Sequence, residues 1–172
     1  MDKSIGSYSF LRNLIGGILI LFSMQTIVHA QQVVPSKVTS IQLLDNYLNN
    51  SKGSDQLRLN DLVYEVQSSV YFENNEAKTY GTTPVNLYTD INGFLQLPNA
   101  NFEKATIELI TIRIDNSSQI TNTLNLASLS GFPKLKYVYI LATFPYTLQQ
   151  ISKVVTSSGS DYIVVFKSDM GS

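Results

Sequence analysis

Apolar residues recur along this chain with more than one period. From Leu109 the order is apolar-x-x-apolar-x-apolar: Leu109, Ile112 and Ile114 are matched 26 residues later by Leu135, Val138 and Ile140. A third copy keeps Val164 and Phe166 but has Asp161 where the first apolar residue should stand. Short alternating runs at a shared spacing predict three parallel strands of a repeat. Three residues beyond each last apolar position come Ser117, Thr143 and Asp169, short side chains able to hydrogen-bond a neighbouring backbone turn. Between the first two strands, Ile120, Leu124, Leu126 and Leu129 predict a short helix and a tight return through Gly131-Phe132-Pro133. Between the second and third, Leu148, Ile151, Val154 and Val155 give a helical stripe that ends at Ser157-Ser158-Gly159.

The N-terminal half is less regular. Val38, Ile41, Leu44 or Leu43, and Leu48 lie at helical steps behind Pro35-Ser36, which predicts a helix from Pro35 to Asn50. From Leu57 to Glu73 two periods compete, and the Val and Tyr content favours strand. Asn74 to Pro84 is turn chemistry, Val85 to Tyr88 a short apolar run, and Asp90 to Asn101, rich in Asn, Gly and Pro, a loop.

The first thirty residues have the order of a secretory leader: Lys3 and Arg12, then a mostly apolar run from Leu14 to Val28, then Val28-His29-Ala30 before Gln31. That run falls short of the roughly 20 residues that span a bilayer, so a cleaved signal peptide (1–30) and a secreted, extracellular or periplasmic domain (31–172) are expected. The domain divides into an N-terminal helix with an irregular part (31–101) and a repeat-like part (102–172). No Cys stands at the cleavage point to be acylated, so a lipoprotein is not expected. Cleavage removes His29, the chain's single histidine, and leaves a domain with neither His nor Cys. Ser-His-Asp and Cys-His catalysis lose their required groups, as do His- or Cys-based metal sites. No cofactor and no metal are expected. With 12 Lys+Arg against 13 Asp+Glu, the chain lacks the basic excess of a nucleic-acid binder.

The stretch FPKLKYVYI at 132–140, with its copies, resembles the leucine-rich repeat, whose hallmark is LxxLxL followed by a small polar residue. The resemblance covers about residues 109–169. It departs from the pattern where Ser, Thr or Asp replaces the usual Asn, and where Gln119, Pro145 and Gly171 replace the next apolar residue. It implies a small α/β solenoid with parallel strands; the alternative is a compact βαβ-type α/β domain with helices of similar length.

In such strands alternation assigns the faces. Leu109, Ile112, Ile114 and their copies are expected inside. Outside, three columns are expected: Thr111, Tyr137, Ile163; Arg113, Tyr139, Val165; and Asp115, Leu141, Lys167. Aromatic anchors flanked by charges suit recognition better than catalysis, so Thr111, Arg113, Tyr137, Tyr139 and Lys167 are the candidate contacts of a non-catalytic module for a protein or glycan. Two other readings compete: a hydrolase using two of Glu65, Glu73, Glu76, Asp90, Glu103 and Glu108, none selected by spacing, and a structural component of a surface assembly. A third, a covered strand face, would bury the tyrosines.

Overall fold

Two consecutive asparagines shape one edge of the main sheet. Asn74 and Asn75 have φ of 52° and 63°, the left-handed region that Asn tolerates best after Gly. They form the two-residue turn of a hairpin between β3 (Ser69–Glu73) and β4 (Glu76–Tyr80). The computed structural model describes residues 36–37, 41–121, 123–157 and 162–168, all within the compact unit Val34–Ser172. The expected leader, Val38, Asp161 and Asp169 lie outside the described residues.

The remaining strands are β1 (Ser36–Lys37), β2 (Ile41–Leu43), β5 (Asn86–Asp90), β6 (Leu109–Ile114), β7 (Leu124–Asn125), β8 (Tyr137–Ala142), β9 (Val155–Ser157) and β10 (Ile163–Ser168). The helices are α1 (Leu44–Asn50), α2 (Ser54–Tyr64), α3 (Ile91–Gln96) and α4 (Leu148–Val154). The fold is mixed α/β, with a seven-stranded sheet in the order β2-β10-β8-β6-β5-β3-β4 that is open, not closed into a barrel. Every pairing in it is parallel except β3 with β4. From β5 to β10, strands that follow one another in this sheet's chain order are also neighbours in space. A smaller sheet, β1-β9-β7, pairs Leu124 with Val155 in parallel.

One face of the large sheet carries Val70, Phe72, Leu87, Ile110, Ile112, Ile114, Val138, Ile140, Val164 and Phe166. Ile91 and Phe94 of α3, Leu124 to Leu129, and Ile151 of α4 close over the same face. The connections after β5, β6 and β8 therefore all contribute to one core. Leu44 and Tyr47 of α1, with Leu59 and Leu62 of α2, cover part of the opposite face against Leu109, Tyr137, Tyr139 and Val165.

The structure corrects several expectations. Ile41–Leu43 is strand, because its edge pairs with β10, and the helix begins only at Leu44. Ser54–Tyr64 is helix: Leu59 and Leu62 are buried at helical spacing while Leu57, Tyr64 and Val66 are exposed, so the period-two run never had one buried side. Asp90 to Asn99 is also mostly helical. Asp90 caps α3 by accepting from Gly93 N at 2.7 Å, and Gly93 allows close approach, since a Cβ there would meet Phe72 O at 2.7 Å. Among the described residues between β6 and β8 there is no α-helix, but two 3₁₀ turns with β7 between them. The helix expected from Leu148 is present, with a reciprocal cap between Thr147 and Gln150.

The register also differs. Tyr137 pairs with Ile163, as the 26-residue period requires, but Leu109 pairs with Tyr137 and Ile112 with Ile140, a slip of two residues. A two-residue slip preserves faces because side chains alternate with period two, so Ile112, Val138 and Val164 still share a core. Leu109, an odd position like Thr111, belongs to the opposite face and packs with Tyr137 and Tyr139. The columns become Leu109, Tyr137, Ile163; Thr111, Tyr139, Val165; and Arg113, Leu141, Lys167.

Candidate functional site

On the face partly covered by α1 and α2, one row of side chains crosses the sheet: Lys78, Tyr71, Tyr88, Thr111, Tyr139 and Val165, each in register with the next. The helices close the part over β8, β10 and the starts of β5 and β6, where the Asn86 side chain donates to Leu62 O of α2 at 2.7 Å. Arg58 of α2 makes a bidentate pair with Glu108, Nε to Oε2 at 2.9 Å and Nη2 to Oε1 at 2.8 Å. That hydrogen-bonded guanidinium holds the Glu108 carboxyl below the usual carboxylate range. Lys136 reaches Asp55 at 2.7 Å, and the Tyr137 hydroxyl donates to Asp55 O at 3.0 Å.

Tyr137 is therefore fully buried, contrary to the exposure expected of it, and burial, aided by the charge of Asp55, pushes its hydroxyl up to about 12. Val165 is buried beside it, which is what the covered-face reading expects. Lys167 lies 3.6 Å from Asp45 of α1, over the covered half.

Past the end of α2 the face is open. Tyr71 is 43% exposed and Tyr80 60%. Tyr71 stacks on Tyr88 with centroids 4.9 Å apart, and meets Tyr80 edge-on at 5.5 Å. Where the helical cover stops, a cleft of about 420 Å³ lies between Val63 and Tyr64 of α2, Tyr71 and Glu73 of β3, Tyr88 and Thr89 of β5, Thr111 and Arg113 of β6, and Tyr139 and Leu141 of β8. A second hollow of about 380 Å³ adjoins it between Val66, Gln67, Ser69, Tyr71 and Tyr80.

Of the residues singled out in the sequence, Thr111, Arg113 and Tyr139 meet in this cleft; Tyr137 and Lys167 do not line it. Thr111 and Tyr139 are largely buried floor and wall, 6% and 8% exposed, whereas Arg113 is exposed and binds Asp115 through Nε at 3.1 Å. Sequence reasoning missed Tyr64, Tyr71 and Tyr88, and named Glu73 only as a candidate acid of the hydrolase reading. Alternation through SVYFE and NLYTD carried the signal for Tyr71 and Tyr88, but only the pairing of β3 with β5 stacks them. The Thr143 hydroxyl ties its turn to the backbone of the neighbouring strand as expected of a short polar residue, within 3.4 Å of Ile114 O and Asp115 O.

Several candidate acids have structural partners. Glu108 is held by Arg58, Asp90 caps α3, and Glu103 accepts from Ala105 N at 2.7 Å. Glu73 and Glu76 face each other across the hairpin. No helix among the described residues is long and apolar enough to cross a membrane. Comparison with protein families, with curated proteins and with solved structures finds no match for this chain.

Proposed function

We propose that this protein is an exported, non-catalytic binding module that engages a protein or glycan through the open half of its strand face. The carrying observation is the group of exposed tyrosines, Tyr64, Tyr71 and Tyr80, joined with Tyr88 beside a preformed cleft. Large apolar side chains gathered at one surface are an interaction signature, and tyrosine combines contact area with a polar tip at small entropic cost. Of the candidate contacts, Thr111, Arg113 and Tyr139 belong to this reading.

The organisation fits a degenerate leucine-rich-repeat-like solenoid: successive parallel strands lie side by side, and their connections pack on one face. The hydrolase reading is weaker, because Asp90, Glu103 and Glu108 already serve a helix cap, a turn and an ion pair. Pull-down and glycan-array binding by the purified mature chain, compared with a Tyr71→Ala/Tyr80→Ala variant, tests the proposal. A ligand lost from the variant, with its melting temperature kept, is the expected result. N-terminal sequencing of the exported form tests the leader, with Gln31 expected first.

A further inference from the structure

We infer that β4 pairs with β4 of a second copy of this chain, antiparallel and centred on Ala77, so that two sheets join edge to edge. β4 is the last strand of the large sheet, and all five of its residues are exposed. No Pro or Gly interrupts Glu76–Tyr80 and its pairing with β3 is continuous, so side-chain charge is the one device present that blunts an edge. Just before β3, Ser68 O accepts from Val85 N at 2.9 Å, so even-numbered residues of β3 turn their backbone groups to β5 and odd-numbered ones bond β4. Glu76, Lys78 and Tyr80 therefore spend their backbone groups inside the hairpin, while Ala77 and Thr79 turn N–H and C=O outward.

Charge selects the occupant and the register. Glu73 stands directly across from Glu76, and neither these two acids nor Lys78 forms an ion pair with another described residue. A two-fold ladder between copies can be centred on any residue of β4. Centred on Glu76 or Lys78, it sets like charges opposite each other, which destabilises a pair. Centred on Thr79 or Tyr80, it leaves both charges without an opposite partner. Centred on Ala77, it places Glu76 opposite Lys78 of the second copy and does so twice, bringing a cation to each Glu73–Glu76 pair. The other edge of the sheet is a poorer partner, because β2 has only three residues, carries no charge and runs into α1 at Leu44. Residues opposite each other in a ladder point to one side, so the join also sets Tyr71 and Tyr80 of both copies on the same side of one continuous sheet.

The test is sedimentation equilibrium of the exported chain from about 10 μM to about 1 mM, the range in which a weak complex forms. A monomer–dimer equilibrium is expected, with protection of the Ala77 and Thr79 amides from hydrogen exchange rising with concentration. Glu76→Lys and Lys78→Glu should each weaken the dimer about tenfold. An equimolar mixture of these two variants, and the double variant carrying both changes, should each recover it. Ala77→Pro removes an outward N–H that the hairpin does not use, and should abolish the dimer while the melting temperature at about 10 μM is kept. Should the proline disturb the hairpin, the charge variants still decide. A chain that stays monomeric at about 1 mM overturns the proposal; if an extended Val-Thr peptide then protects Ala77 and Thr79, the edge serves a foreign strand instead. A dimer that survives Ala77→Pro and both single charge changes lies on another surface and overturns it equally, and a double variant as weak as the singles overturns the Ala77-centred register.

Discussion

The two halves of one strand face are built from the same alternation and differ in what lies above them. Over β8 and β10, α1 and α2 bury Tyr137 and Val165 and are pinned by Arg58–Glu108 and Lys136–Asp55. Over β3, β4 and the end of β5 no helix follows among the described residues, and Tyr71 and Tyr80 are left to water. A tyrosine on a strand is thus a core residue or a contact residue according to whether an element elsewhere in the chain reaches it. Alternation alone does not carry that information.

The comparison can be broken by substitution. Val138 has no exposed surface and sits on β8, an interior strand, under the opposite core, so Val138→Asp should cost about 4–5 kcal/mol and unfold both halves, read by loss of the cooperative thermal transition. Leu59→Ala removes a fully buried contact between α2 and the covered half. It should cost about 2–5 kcal/mol in denaturant unfolding, and hydrogen exchange should rise over β8 before β3.

Glu108→Gln weakens the pin on α2 by about 1 kcal/mol, a modest figure because the pair is partly solvated. Glu108 is lowered from 4.5, so its contribution is fully present above about pH 4.5 and is lost as pH falls through its folded value. Urea unfolding of the parent should therefore show a loss between pH 4.5 and lower values that the Gln variant lacks. Smallest of all, Tyr71→Ala in the open half should change stability by no more than about 1 kcal/mol while abolishing the ligand contact, read by pairing melting curves with the binding assay.

Periodic stretches showed their strands in the sequence. Leu109–Ile114, Tyr137–Ala142 and Ile163–Ser168 were legible because Ile, Val and Tyr alternate there, and α4 because Leu148, Ile151 and Val154 do so at helical steps. The register between β6 and β8 was not legible, since a two-residue slip leaves every face unchanged. Nor was α2, where Leu59 and Leu62 carry the helical signal but exposed Leu57, Tyr64 and Val66 mimic a strand. Half of the candidate site was legible. Thr111, Arg113 and Tyr139 come from the repeat, whereas Tyr71 and Tyr88 gain their meaning from a pairing between strands that sequence spacing does not link.

The sheet's two edges also differ in when they can exist. The β3–β4 hairpin closes around Asn74 and Asn75 alone, a pairing that forms within about 1–10 μs once those residues are present. At the other edge Ile41 pairs with Val164, so β2 has no partner until β10 has been made. On a ribosome adding about 5–20 residues each second, β2 waits several seconds with its backbone groups unmatched. During synthesis this edge cannot close before β10 has been made, and shortening the chain before β10 should leave β2 open to pairing with other chains.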